Sequence, residues 1–262
     1  EAAARGDIFA LCEPPSHGNR LTTSGDHIRT AIQMGADVNS RNGFSSSPLQ
    51  VALGELRYGG DKKTASLDVI GALIEAGADV NVGSKYDSPL VLAIRHSNNP
   101  ALIKLLIEGG AIVNNQMLWD AAGKSDPDII TQLISAGAEV NSARPSATND
   151  RIFGESALMI SSKENQNPEV ITSLLGAGAA VNLMDSIHQT ALILAAKHTE
   201  NPEVIQRLLD GGANPHLQDF KGKTAMYYAK GNKNLHASAQ YWALDTASKR
   251  SPESDVDESV LV

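Results

Sequence analysis

One short phrase recurs along the chain and constrains its fold more than any other feature. Five copies follow the pattern Gly-Ala-x-Val-Asn and a sixth has diverged: GADVN at 35–39 and 77–81, GAIVN at 110–114, GAEVN at 137–141, GAAVN at 178–182 and GANPH at 212–216. Amphipathic segments such as PEVIQRLL at 202–209 precede these copies. Self-similarity at a period of about 33 residues indicates a repeat protein built from stacked units.

The unit at 183–216 shows how one repeat is built. Thr190 opens the segment TALILAA, which predicts a short helix of small apolar side chains. A second helix is predicted from Pro202, because proline is favoured at the first helical position. Glycines 211–212 predict the end of that helix, since glycine tolerates a left-handed C-cap. The apolar stripe of the second helix is Val204, Ile205, Leu208 and Leu209.

This pattern resembles the ankyrin repeat, whose unit has a β-turn finger, two antiparallel helices and a loop. The resemblance is carried by the GA-x-VN phrases and by the segments that open each first helix: TALILAA at 190–196, SPLVLAI at 88–94, SALMISS at 156–162 and SPLQVAL at 47–53. It covers residues 1–248. The resemblance implies an all-α solenoid of stacked helix-turn-helix pairs with β-turn fingers. It also implies a protein or peptide partner on the concave face formed by fingers and first helices.

The phrases predict seven units, with a degenerate cap at each end, and an acidic tail at 249–262 that is predicted to be disordered. The predicted units are about 1–39, 40–81, 82–114, 115–141, 142–182, 183–216 and 217–248.

Uneven spacing between the phrases locates insertions and a deletion. The long interval after Gly35 places extra residues at 58–65, between the two helices of that unit. The long interval after Gly137 places extra residues at about 142–151, which lengthens a finger. In the fourth unit a helix begins almost directly after Asn114, so its finger is predicted to be missing.

Charge and composition exclude several classes of partner and location. A net charge of −8 and a pI of about 5.3 argue against a nucleic-acid partner, which requires a basic face. The single Cys excludes an internal disulfide and suits a reducing compartment, so we expect a cytoplasmic protein, with a secreted effector as the alternative. No apolar run is long enough to span a membrane. The chain is expected to be a monomer.

The sequence gives no sign of catalysis. The seven histidines are scattered over different units, and there is no P-loop or nucleophile elbow. We therefore expect a non-enzyme with no cofactor and no metal. The alternative to a binding scaffold is a structural spacer or assembly segment of a larger multidomain protein, which the absent initiator Met and the acidic tail suggest.

The fingertips are candidate contacts with a partner. Apolar side chains there are not required for a core, and exposed apolar patches often mark binding surfaces. Alternatively, each ring folds down onto the adjacent finger as local packing. The candidates are Phe44, Tyr86, Phe153, Met184, Ile187 and Phe220.

Cations recur at one position of the first helices, where Arg95, Lys163 and Lys197 would form a basic strip suited to an acidic peptide. The alternative is that each cation offsets the macrodipole at a helix C-terminus, worth about 0.3–1 kcal/mol.

The unit without a finger contains an unusual pair of residues. Trp119 is a candidate binding residue, because tryptophan is enriched among binding hot spots. It could instead fill the space that the absent finger vacates. Asp120 stands where other units have Leu or Ile, so its carboxylate must be paired or solvated.

The acidic tail allows three interpretations. Its four acids, Glu253, Asp255, Asp257 and Glu258, could fold back toward the basic strip as a mimic of the ligand. Its apolar end at 260–262 could instead enter a partner's groove. The third interpretation is an unstructured solubilising segment.

Overall fold

The computed structural model describes residues 8–9, 24–58, 67–84, 87–124, 126–145, 154–236 and 238–250, without the side chains of residues 55–58. These ranges contain thirteen helices and no strand beyond an isolated antiparallel bridge between Gln218 and Thr224. The predicted all-α fold is confirmed. The chain divides into two compact units, Glu1–Met117 (unit 1) and Leu118–Val262 (unit 2). No described helix has both the length and the apolar composition needed to cross a bilayer.

Unit 1 is a stack of helix pairs. Its helices are α1 (Gly25–Gln33), α2 (Pro48–Tyr58), α3 (Leu67–Glu75), α4 (Pro89–His96), α5 (Pro100–Glu108) and the start of α6 (Asn115–Ala122). Helix α2 pairs with α3, and α4 pairs with α5. Between neighbouring pairs, α2 packs against α4, while α1, α3 and α5 form a second row.

Unit 2 has the same arrangement. After the end of α6 come α7 (Pro127–Ser135), α8 (Ala157–Glu164), α9 (Pro168–Gly176), α10 (Ala191–His198), α11 (Glu203–Asp210), α12 (Ala225–Ala229) and α13 (Ala239–Lys249). Helices α8, α10 and α12 form a row of first helices, and α7, α9, α11 and α13 form a row of second helices. Each of these three first helices also packs on the second helix that follows it.

Helix α11 has the predicted apolar stripe, in which Val204, Ile205 and Leu208 are fully buried. Its start differs from the prediction by one residue. Pro202 has helical dihedral angles but takes the N-cap position, and the helix begins at Glu203. The amide of Glu203 donates to the side chain of Asn201 at 3.0 Å.

The glycines that open the phrases end the second helices, as predicted. Gly212 has φ +83°, its amide donates to the Leu209 carbonyl, and the next amide, of Ala213, donates to Leu208. This left-handed cap recurs because glycine has no Cβ to clash in that conformation. Gly211, the first of the pair, keeps φ at −78°.

The fourth repeat lacks a finger, as predicted, because α6 starts at Asn115, directly after the phrase GAIVN. The side chain of Asn114 accepts from the amide of Met117 at 3.3 Å and so caps this helix. The predicted insertion at 58–65 lies almost wholly outside the described residues, and so does the outer part of that at 142–151. The base of the longer finger is described: the amide of Gly154 donates to the carbonyl of Arg144 at 3.0 Å.

The Asn that ends four of the phrases links one repeat to the next. The Nδ2 of Asn182 donates to the carbonyl of Gly212 at 3.2 Å, and its Oδ1 accepts from the amide of Asn214 at 2.8 Å. The corresponding bonds are made inside their own units by Asn39, Asn81 and Asn141. In the divergent sixth copy His216 takes this position. In each of these four cases the same two bonds join the loop to the loop of the following repeat.

Candidate protein-binding surface

Three fingers are built on the same side-chain device at Asn42, Asp185 and Asp219. The Oδ1 of each accepts from the backbone amides two and four residues later, at 2.8–3.0 Å. Short Asn and Asp side chains favour such turns because they hydrogen-bond to nearby backbone amides. The third residue after each has positive φ: Ser45, His188 and Gly222. The chain therefore turns in the same way in all three fingers. The residue two positions after each Asn or Asp stands at the tip: Phe44, Ile187 and Lys221.

The predicted fingertip residues are exposed to different degrees. In unit 1 the ring of Phe44 is 92% exposed. In unit 2 Phe220 is 61% exposed and Met184 is 40% exposed. Ile187 is half-buried, and its carbonyl oxygen accepts from the amide of Phe220 at 3.1 Å, which joins two neighbouring fingers. The predicted contacts Tyr86 and Phe153 lie outside the described residues.

Three lysines of unit 2 lie close to aromatic rings around the last finger. The Nζ of Lys223 is 4.0 Å from the centroid of Tyr227, and the Nζ of Lys221 is 5.5 Å from that of Phe220. The Nζ of Lys197 is 5.5 Å from the centroid of Tyr228, whose ring meets that of Tyr227 edge to face. We call the resulting patch the finger surface; it comprises Ile187, Lys197, Phe220, Lys221, Lys223 and Tyr227.

A hydrogen bond beneath the finger surface orients Tyr228. Its hydroxyl donates to the buried Asp219 at 2.5 Å. This bond, together with burial, raises the pKa of Tyr228 to about 12. Burial alone would raise the pKa of Asp219, but the bonds from Tyr228 and from the amides of Lys223 and Lys221 outweigh burial and lower it. At neutral pH the hydroxyl is therefore protonated and the carboxylate is ionised, which holds the ring beside Lys197.

Lys163, the second cation of the predicted strip, is engaged within unit 2. Its Nζ lies 3.4 Å from Glu155 and 3.6 Å from Glu164. Glu155 is only 6% exposed and also pairs with Arg144. The ammonium of Lys163 thus compensates a buried carboxylate, a partner that the sequence analysis did not identify.

A second buried carboxylate lies near this ion pair. Asp185 is buried, and its Oδ2 has no hydrogen-bond partner among the described residues. Burial raises the pKa of Asp185, opposed by its two backbone donors, and the charge of Glu155 raises it further. Burial also lowers the pKa of His198, as do the charges of Lys197 and Lys163, so its imidazole is neutral at neutral pH.

All three cations of the predicted strip stand in the last turn of a first helix: Arg95 in α4 of unit 1, Lys163 in α8 and Lys197 in α10 of unit 2. This position agrees with the alternative interpretation, in which they offset the helix macrodipole. Of the two in unit 2, Lys197 lies beside the aromatic rings and Lys163 is committed to carboxylates.

Trp119 is buried, with 8% of its surface exposed. Its Nε1 donates to the carbonyl of Ser142 in the same unit at 3.2 Å. A buried ring with a satisfied indole N–H is not available as an exposed contact. Asp120, on the same helix, is half-buried.

Sequence reasoning missed the residues that complete the surface, chiefly Tyr227, Tyr228 and Lys223. The signal was present in the paired tyrosines that follow Thr224-Ala225, where other units carry aliphatic residues. No cluster of three His, Cys, Asp or Glu side chains suited to a metal occurs in the part of the chain that the structure describes. The finger surface consists of one aliphatic side chain, two aromatic rings and three ammonium groups.

Comparisons with known proteins agree with this architecture. A family model of ankyrin repeats, in three copies, matches residues 118–219 and 158–241. Residues 118–241 belong to the ankyrin repeat family. Ankyrin repeats are in general protein–protein interaction modules. A comparison with curated proteins gives no match.

Solved ankyrin repeat domains share the fold over most of the chain. The human ASB11 ankyrin repeat domain has a TM-score of 0.61 and 23% identity, over 95% of this chain and 97% of that one. The ankyrin repeat domain of Bcl-3, described as a unique member of the IkappaB protein family, has a TM-score of 0.56 and 18% identity, over 89% and 94%. The predicted solenoid of helix pairs is therefore confirmed.

Proposed function

We propose that this protein is a non-catalytic interaction module that binds a protein or peptide partner through the finger surface of unit 2. The observation that carries the proposal is a pair of exposed rings, Phe220 and Tyr227, at 61% and 54% exposure, each beside a lysine ammonium. Neither ring fills the core of the unit. Aromatic anchors dominate many binding energies, so a partner that covers both rings would gain most from these two residues.

The other fingertips extend the proposal. Phe44 offers a separate exposed ring in unit 1, and Met184 offers an adaptable apolar side chain in unit 2. Tyr86 and Phe153 remain predicted contacts. Trp119 and Lys163 stand outside the proposed surface, because the first is buried and the second is paired with Glu155.

The proposal is tested with the double variant Phe220→Ser/Tyr227→Ser in the full chain. Affinity capture from a native lysate with the wild-type chain, followed by mass spectrometry, supplies the partner. Calorimetry then compares affinities. We expect the double variant to bind at least about tenfold more weakly, because both anchors are lost, while its thermal melt stays close to wild type.

Trp242→Ala is the matched control, since Trp242 is a comparably exposed aromatic residue, at 59%, that stands on α13 and does not belong to the finger surface. It should bind like the wild type. Equal binding by the folded double variant and the wild type would overturn the proposal and favour the spacer or assembly alternative.

A further inference from the structure

We propose that the acidic residues 251–262 of this chain bind the finger surface and compete there with the partner. The first observation is the local charge. Residues 220–244 contain the lysines 221, 223, 230 and 233 and no Asp or Glu, although the whole chain carries a net charge of −8. The whole predicted last repeat, 217–248, adds two acids, Asp219 and Asp245, to these four lysines, so it is still locally basic in an acidic protein and attracts segments of negative charge.

The three lysines of the finger surface are available to an anion. Within the described residues, no carboxylate lies within 4 Å of the ammonium groups of Lys197, Lys221 or Lys223, which face aromatic rings instead. Lys163, by contrast, is already paired with Glu155. On the last helix, Lys249 is paired with Asp245 at 2.5 Å. The charge of Lys221 acts on the ionised Asp219 beneath it, but none of the three ammonium groups of the finger surface forms an ion pair among the described residues.

Residues 251–262 have the complementary chemistry. They carry four acids and no base, and Val256 stands between two of the acids. Carboxylates can meet the ammonium groups while the valine side chain contacts Phe220 or Tyr227, so the segment matches both features of the surface. The acids are Glu253, Asp255, Asp257 and Glu258.

The fold brings the start of this segment to the base of the last finger. Arg250, the last described residue, lines the same groove between α11 and α13 as His216. His216 lies two residues before Gln218, whose bridge to Thr224 closes the finger. Twelve extended residues reach about 40 Å, far more than a finger of five residues requires. Because the segment is tethered, its effective concentration at the surface is in the millimolar range.

Contact between the segment and the surface is tested by zero-length carbodiimide coupling of the full chain. This reagent joins a lysine to a carboxylate only where the two groups touch. We expect amide cross-links, within one chain, between the acids of residues 251–262 and Lys197, Lys221 or Lys223, identified by mass spectrometry. They should disappear in about 0.5 M NaCl, where exposed charges are screened, and in the variant Glu253→Gln/Asp255→Asn/Asp257→Asn/Glu258→Gln.

The ion pair of Lys104 and Glu108 on α5, at 3.8 Å, serves as the internal control. Its cross-link should form in the wild type and in the quadruple variant alike. If it forms while the acids couple only to Lys249, or only between chains, the proposed contact is overturned.

Competition rests on the partner site proposed above, and a second measurement separates the two ideas. The quadruple variant should bind the captured partner more tightly than the wild type, by about threefold or more. If the Phe220→Ser/Tyr227→Ser variant loses the partner but no cross-link appears, the proposed function stands and the tail contact falls. If cross-links appear while that variant still binds, the tail contact stands and the partner site falls.

Discussion

At the scale of single residues, two carboxylates at the same position of neighbouring fingers have pKa values shifted in opposite directions. Asp185 and Asp219 each accept from the backbone amides two and four residues later, but only Asp219 also accepts from a tyrosine hydroxyl. Burial therefore raises the pKa of Asp185, whereas the additional donors lower the pKa of Asp219. In the earlier finger Asn42 performs the same capping without a charge. The turn therefore requires the Oδ1 acceptor but does not require a negative charge.

This contrast predicts opposite effects of the same substitution. A carboxyl whose pKa is higher in the folded than in the unfolded state stabilises the fold fully only below its unfolded-state pKa. This stabilisation is lost as the pH rises through its folded-state pKa. Asp185→Asn should therefore raise the melting temperature at pH 7. A carboxyl whose pKa is lowered in the folded state stabilises the fold above its unfolded-state pKa, and this stabilisation is lost as the pH falls through its folded-state pKa. Asp219→Asn should therefore lower the melting temperature at pH 7.

Thermal melts of the two variants and the wild type at pH 7 and at about pH 3 provide the measurement. Both differences should shrink in acid: for Asp185 because the folded carboxyl takes up a proton, and for Asp219 because the unfolded chain takes up a proton there first. A shift in the same direction for both variants at pH 7 would contradict the assignment of the two environments.

At the scale of one element, the end of α9 separates two roles of glycine. Gly176 is the last helical residue, and Gly178 follows the cap with φ +87°. A Cβ at either position would meet no atom within 4 Å. Space is therefore equal at the two sites, and backbone conformation alone distinguishes them.

The pair makes a matched test of the left-handed cap. Gly176→Ala should stabilise unit 2 by about 0.4–1 kcal/mol, because alanine restricts the unfolded chain and suits the helix. Gly178→Ala should destabilise it by about 1–2 kcal/mol, the cost of a left-handed conformation for a residue with a Cβ. Urea denaturation monitored by circular dichroism measures both. Equal effects would mean that the cap at Gly178 does not limit stability.

At the scale of the whole molecule, stability is distributed along stacked neighbours. In unit 2, α9 packs on α7, α8 and α11, whereas the last helix, α13, packs on α11 and α12. In such a linear array stability is a sum of repeat and interface contributions, so the position of a defect decides how far its effect spreads.

Two buried leucines test this distribution. Leu174 in α9 and Leu244 in α13 are both fully buried. Leu174→Ala should cost about 2–5 kcal/mol and should speed hydrogen exchange in α7–α11. Leu244→Ala removes the same atoms but should speed exchange mainly in α12 and α13. The same spread of exchange in both variants, measured by mass spectrometry, would contradict a repeat-by-repeat distribution of stability.

Much of the fold could be predicted because its signals are local. Pro127 and Pro168 mark helix starts, and Gly178 and Gly212 mark the turns after helix ends, through the conformations that these residues favour. The candidate site was predictable only in outline. Phe220 could be placed at a fingertip from spacing, but its exposure depends on which neighbours lie above it.

Contacts between distant residues were beyond sequence reasoning. The sequence does not indicate that Lys163 pairs with the buried Glu155, an ion pair that only the fold reveals. Asn182 was recognised as part of a phrase, yet its bonds to Gly212 and Asn214 join residues about thirty positions apart. Nothing local distinguishes such a linking Asn from an ordinary loop residue.

The amino-acid order by itself determined the repeating helix pairs, the loops between them and the missing finger, because these follow from backbone preferences and apolar periodicity over a few residues. Tertiary packing decided which side chains remain free to bind. It buried Trp119 and left Phe220 in solvent, although both are aromatic residues at irregular points of the repeat. The physical reason is that exposure is a property of the neighbours a residue acquires, and these neighbours come from other repeats.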